Sequence, residues 1–269
     1  MKSLKFKLLC AAVAAAGGVQ MAHAQCPTTP TAWEQSVAVT SAAGTFAITT
    51  PGLSAGTIVG GQCKFDVGIT AAATRPDRAR VQDRTPADEV RYRARYLVNV
   101  DSLGTMGPGQ RVKLFNVQST VDPDGAGLAT SIGMVLVRLQ GNPDGLGGRG
   151  IVVRGGNFTG QTAAFAGFSD TAFLPLAAGT NRIELDLQVA AANTGSLRIW
   201  VNSAVEGSPT ASLTNLNLVP WNPGVTQVNL GLIEPTADYI NGAGAFTSKA
   251  GIRYSVDEFE SRRQTFIGG

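Results

Sequence analysis

The chain has 269 residues, with 22 lysines and arginines against 19 aspartates and glutamates, and a single histidine, His23. The sequence beyond residue 24 contains no histidine at all. That excludes Ser-His-Asp and Cys-His catalysis, histidine general bases and histidine-ligated zinc.

The first element is a leader. Met1-Lys2-Ser3-Leu4-Lys5-Phe6-Lys7 is basic, an Ala-rich apolar run follows to about Val19, and Ala22-His23-Ala24 offers small residues at a peptidase site. This pattern predicts a signal peptide over residues 1–24 and a mature domain over 25–269. The apolar run is shorter than the roughly 20 residues a membrane helix needs. No later stretch predicts a span, so the mature protein is expected to be secreted to the periplasm or beyond the cell, without a membrane segment. Gln25 ahead of Cys26 argues against a lipoprotein. Removing Lys2, Lys5 and Lys7 leaves 19 basic against 19 acidic residues, so no long-range basic field and no nucleic-acid partner are expected. Cys10 leaves with the leader. Cys26 and Cys63 remain as an even pair in an oxidising compartment, which predicts a disulfide. Its 38-residue loop would stabilise the fold by about 4 kcal/mol in the chain-entropy model.

Period-two alternation dominates the rest. Val90, Tyr92, Ala94, Tyr96 and Val98 alternate with Arg91, Arg93, Arg95 and Leu97. Ile183, Leu185, Leu187 and Val189 alternate with Arg182, Glu184, Asp186 and Gln188, and Leu197, Ile199 and Val201 with Arg198, Trp200 and Asn202. Such runs predict strands with one buried face. Strands are expected near 35–40, 45–49, 64–70, 90–99, 111–119, 131–140, 150–154, 182–190, 196–203, 226–232 and 251–260. Turn sequences separate them at Asp122–Gly125, Asn142–Gly145, Asn193–Gly195 and Pro220–Pro223. No segment holds helical periodicity for ten residues. Many short strands at this spacing predict a sandwich or barrel. With aromatics at only 7%, the girdles of an outer-membrane barrel are not expected.

Asn181–Val189, a short turn and Ser196–Asn202 resemble the central hairpin of laminin G-like, concanavalin A-like jelly rolls. Val228–Gly231 and Tyr254–Phe259 are similar to the closing strands of that fold, and Ala79–Asp83, Glu89–Arg95, Glu260–Arg263 and Phe266–Gly268 extend the likeness to secreted bacterial proteins without assigned activity. The resemblance implies an all-β, two-sheet antiparallel jelly-roll sandwich. Jelly-roll glucanases carry two catalytic glutamates flanking an aspartate along one strand face. Here Glu184-Leu-Asp186-Leu-Gln188 puts an amide at the third position, and an amide cannot protonate a leaving oxygen. Jelly-roll alginate lyases bind uronate carboxylates with strand arginine and glutamate, and also use a glutamine–histidine pair and a tyrosine. Arg91, Arg93 and Arg95 suit the first role, but no histidine is present for the second. The alternative is that these arginines pair with acids such as Asp257, Glu258 or Glu260.

Trp200, with Arg198 and Asn202, falls on the polar side of its strand, and hairpin pairing would add Glu184 and Asp186. An indole among hydrogen-bonding groups has the composition of a sugar platform, or packs under a loop. Asp122, Asp124, Asn142 and Asp144 belong to turn sequences and need no calcium, so no metal and no cofactor are expected. These features predict a non-catalytic binding module for glycan or cell-surface material. A carbohydrate-active enzyme of glucanase or polysaccharide-lyase type on the same fold, and a structural cell-envelope protein, are the alternatives.

Overall fold

A computed structural model describes residues 35–39, 53–55, 63–69, 78–104, 106–108, 110–121, 130–159, 164–190, 193–218, 224–233, 252–262 and 265–268. The expected leader, Cys26, the strand expected over 45–49, and the turns at Asp122–Gly125 and Pro220–Pro223 lie outside the described residues. The described chain is all β, with strands numbered here in chain order and paired antiparallel into two sheets.

The eight-stranded sheet runs β1 (Gln35–Val39), β4 (Arg78–Asp83), β14 (Gln227–Leu232), β6 (Arg111–Val121), β7 (Thr130–Gly141), β8 (Arg149–Thr159) and β10 (Leu174–Pro175), and β9 (Ala164–Asp170) also pairs with β8. The seven-stranded sheet runs β13 (Ala211–Leu216), β12 (Gly195–Val201), β11 (Thr180–Gln188), β5 (Arg91–Asn99), β15 (Ile252–Arg262), β3 (Cys63–Ile69) and β2 (Leu53–Ala55). The sheets pack as a sandwich, as the alternation predicts.

The core is the product of that alternation. Ile183, Leu185, Leu187, Leu197 and Ile199 are all buried, and Val201, partly buried at the end of β12, packs against the core. From the other sheet, Phe115 meets Tyr96 with ring centroids 5.1 Å apart. Burial of large apolar side chains, each contributing about 1.5–3 kcal/mol, is the main force holding the layers together. Tyr92, Tyr96 and Tyr254 point into this core. Burial pushes the phenols of Tyr96 and Tyr254 well above the usual tyrosine range, so they stay neutral.

Two irregularities shape the outer face of the eight-stranded sheet. The β6–β7 register shifts between Lys113 and Phe115, so Leu114 and Phe115 are both buried and Asn116 turns outward. In β14, Gly231 has φ +118°, a backbone shape L side chains rarely adopt, and lies opposite Arg80. The turn at Asn142–Gly145 is closed by its own chemistry: the Asp144 N–H donates to Asn142 Oδ1 at 3.1 Å, and Gly145 takes φ +72°.

Candidate functional site

The hairpin register brings most of the expected site residues together. Glu184 pairs with Trp200 and Asp186 with Arg198 across β11 and β12, and Asp186 also opposes Arg93 across β5. Directly opposed residues share a face. Asn202 sits beyond the strand end at φ +56°, where its Oδ1 accepts the Arg182 N–H at 2.8 Å and its Nδ2 donates to Asn181. It shapes the turn and is not part of the cluster.

This face is closed. Asp186 is 4% exposed and takes Arg91 Nε and Nη2 at 3.1 Å each, Arg93 Nη2 at 3.1 Å, and Arg198. Burial pushes its carboxyl upward, but the hydrogen bonds and charges of Arg91, Arg198 and Arg93 outweigh that and hold it below the usual range. Glu184 is fully buried. Its two oxygens accept the backbone N–H groups of Ile267 and Gly268 at 2.9 and 3.1 Å, and Arg95 donates to the carbonyl of Gly268. Gln188 Nε2 donates to the Val90 carbonyl. Arg95 reaches Glu260 at 3.0 Å, as one expected pairing requires, whereas Arg91 and Arg93 pair with Asp186.

Trp200 corrects the expectation of an open sugar platform. Its side chain is 1% exposed, its indole N–H donates to the Val205 carbonyl at 3.0 Å, and its ring packs 5.2 Å from Phe266. The loop after β12 and the segment Phe266–Gly268 cover it. A strand's period shows which side a residue takes but not what later covers that side. Trp200, Glu184 and Asp186 are therefore buried in an ion and packing cluster with Arg198 at its rim, and no indole face is offered to a ligand.

The opposite outer face is built differently. The strands of the eight-stranded sheet carry seven basic residues (Arg78, Arg80, Arg111, Lys113, Arg138, Arg149, Arg154) against two acidic ones, Asp83 and Asp170. The seven-stranded sheet is nearly balanced, with eight basic against six acidic. The basic residues are nearly as many on one sheet as on the other, and the difference is in net charge: seven against two leaves an excess of five on the eight-stranded sheet, and eight against six an excess of two on the other. One cross-strand row runs Gln82, Asn229, Asn116, Leu136, Arg154, Asp170, with Arg80, Gln227, Gln118 and Arg138 two residues along their strands on the same side.

The amides in this row form a directed network. Gln82 Nε2 donates to Asn229 Oδ1 at 2.8 Å, and Asn229 Nδ2 donates to Asn116 Oδ1 at 2.8 Å and Gln118 Oε1 at 2.9 Å. Gln227 Nε2 donates to Gln118 Oε1 at 2.6 Å. Gln82, Asn116 and Asn229 are buried and form a fixed floor. Gln118 and Gln227 are half-buried at its rim. With both lone-pair directions of Gln118 Oε1 occupied, its NH2 group is the remaining donor, and Gln227 keeps its carbonyl as an acceptor. One donor and one acceptor side by side, held by a buried floor, match the hydrogen-bonding pattern of sugar hydroxyls. The sequence signal for this site is paired amides two residues apart, Asn116-Val-Gln118 and Gln227-Val-Asn229, and it becomes visible only when the two strands are known to pair.

No family model matches the chain, and no curated protein matches it. Among solved structures, endo-β-1,4-glucuronan lyase from the fungus Trichoderma reesei superposes with a TM-score of 0.63 at 14% identity, covering 89% of this chain and 94% of that one. The chain shares its fold. A marine alginate lyase from Aplysia kurodai follows at TM-score 0.54 and 11% identity, over 79% of this chain and 87% of the other. A variant of alginate lyase Aly36B bound to alginate trisaccharide gives 0.51 at 10% identity, over 75% and 82%. The jelly-roll-like sandwich expected from sequence is therefore the architecture of these polysaccharide lyases, and fold is all that such identities carry.

Proposed function

We propose that this protein acts on an acidic polysaccharide as a lyase-type carbohydrate-active enzyme, taking the chain across the outer face of the eight-stranded sheet. The observation that carries the reading is the open Gln118–Gln227 amide pair set on a sheet whose strands carry an excess of basic over acidic residues. Amides and guanidinium groups together suit a sugar bearing both hydroxyls and a carboxylate. The fold likeness supports the same class, since glucuronan and alginate are uronic acid polymers. With the leader expected over residues 1–24, the enzyme would meet its polymer outside the cytoplasm.

Eliminative cleavage needs the uronate carboxylate neutralised while a base takes the proton α to it. The electron pair then forms the ring double bond, the glycosidic C–O bond at the β position breaks, and the leaving oxygen gains a proton. Arg80 is the neutralising group and Gln118 and Gln227 are the orienting groups in this reading. Lys113 directly opposes Arg138 in the β6–β7 ladder, and we assign its amine the proton transfer. A specific observation favours the second reading, a non-catalytic glycan-binding module: among the described tyrosines, Tyr92, Tyr96 and Tyr254 all face the core and are out of reach of a bound polymer.

The test is incubation of the mature protein with polyglucuronate and with alginate while following the ultraviolet absorbance of the unsaturated product. Turnover lost in Lys113→Met at unchanged thermal stability supports the enzyme. Binding without turnover supports the module, and neither binding nor turnover sinks both readings.

A further inference from the structure

At the β8–β9 end of the same face, Phe168 is 45% exposed, an unusual placement for a large aromatic among the described residues. Arg154 lies beneath it, with its guanidinium carbon 4.2 Å from the ring centroid. That guanidinium is itself locked: its Nε and Nη2 donate to the two oxygens of Asp170 at 2.7 and 2.8 Å, and Asp170 also accepts Arg138 Nη2 at 2.8 Å. Arg154 opposes Asp170, and Phe168 opposes Gly156. Phe168 is therefore a plate held from below by a cation that a fork-like ion pair keeps in place. Little conformational freedom remains to be lost when a ligand settles on it.

We infer that Phe168 and Arg154 form a remote sugar subsite of the polysaccharide-binding face: the Phe168 ring stacks on a pyranose, Arg154 donates to a hydroxyl or carboxylate at its edge, and Asp170 accepts from a hydroxyl there. The inference rests on the reading of this face as a polysaccharide site and adds to it a position and an orientation. The row from Asn116 in β6 to Asp170 in β9 crosses three strand spacings, roughly 14 Å. That is longer than one pyranose, so the bound chain crosses the strands from the amide floor toward the β9 edge. An aromatic ring gives this subsite selectivity for the ring's apolar face, and the guanidinium gives it tolerance for uronates.

The test is binding of the full mature protein to polyglucuronate and alginate by affinity electrophoresis, with thermal midpoint as the folding control. Phe168→Ala should weaken binding about fivefold at an unchanged midpoint, and Phe168→Trp should restore or exceed wild-type binding. If wild-type protein binds one of these polymers and Phe168→Ala binds it equally well, the subsite is refuted while the reading of the face stands. If wild-type protein binds neither polymer, the reading of the face fails and the subsite falls with it.

Discussion

Asp186→Asn removes the anion at the centre of the arginine cluster on the seven-stranded sheet. The three guanidinium groups around it are not equal. Arg91 and Arg198 are 32% and 36% exposed, so water recovers most of what they lose. Arg93 is 1% exposed, and its remaining acidic partner is Glu206, itself 52% exposed. Two of its donors, Nε and Nη1, have no hydrogen-bond partner. Asn at 186 thus leaves a buried guanidinium without its buried counter-charge, a loss of about 3–5 kcal/mol. In a domain of this size each kcal/mol moves Tm by about 2–4 °C, which gives a fall of roughly 6–20 °C. Differential scanning calorimetry on wild type and variant measures it, and a fall of under about 2 °C would refute the account of this face as a structural cluster. The pH dependence has a definite sign. The folded carboxyl of Asp186 is held below its unfolded value, so its contribution is present above an unfolded pKa of about 3.9 and is lost as pH falls through the lower folded value. The variant and wild type should therefore converge in stability under strongly acidic conditions.

The remaining expectations are of the same kind. Leu185→Ala, at a position 2% exposed between the sheets, should cost about 2–5 kcal/mol in denaturant unfolding, while Gln188→Ala at the strand end should cost little; equal losses would invert the assignment of faces. A chain ending at residue 265 loses the cover over Trp200 and the two N–H donors to Glu184, so tryptophan emission should shift to the red and Tm should fall, and an unchanged spectrum would contradict the packing. Tyr96 and Tyr254 are raised above the ordinary phenol range by burial, so their contribution is complete below about pH 10 and is lost as pH rises through the folded values. In an alkaline spectrophotometric titration these two should ionise only with unfolding, and reversible ionisation of all four tyrosines near pH 10 in folded protein would count against it.

The sandwich and the faces of β11 and β12 were legible because strict alternation over Ile183–Val189 and Leu197–Val201 allows only pairings that bury both apolar sets, and the short connection between the strands sets the register. Strand β4 carries little strand signal in the sequence, because Ala79 and Val81 are the only apolar residues among Arg78, Arg80, Gln82 and Asp83. The short β10 and the weakly patterned β9 and β13 escaped for similar reasons. For the site, alternation identified Trp200, Glu184 and Asp186 as facing away from the core, and that was right as to side. It held no information about Val205, Phe266 and Gly268, which cover that side through contacts distant in sequence. The amide floor failed to appear for a complementary reason: Asn116, Gln118, Gln227 and Asn229 become a network only when β6 and β14 pair, across more than a hundred residues.

The central claim is that the amide-bearing outer face of the eight-stranded sheet, and not the Trp200 face, takes the polysaccharide. A crystal structure of the mature protein with a bound oligoglucuronate tests it most directly. The account predicts sugar density against Gln118 and Gln227, running over the strands toward Phe168. Density over β11 and β12 beside Trp200 and Arg198, with the Phe266–Gly268 segment displaced, would contradict it.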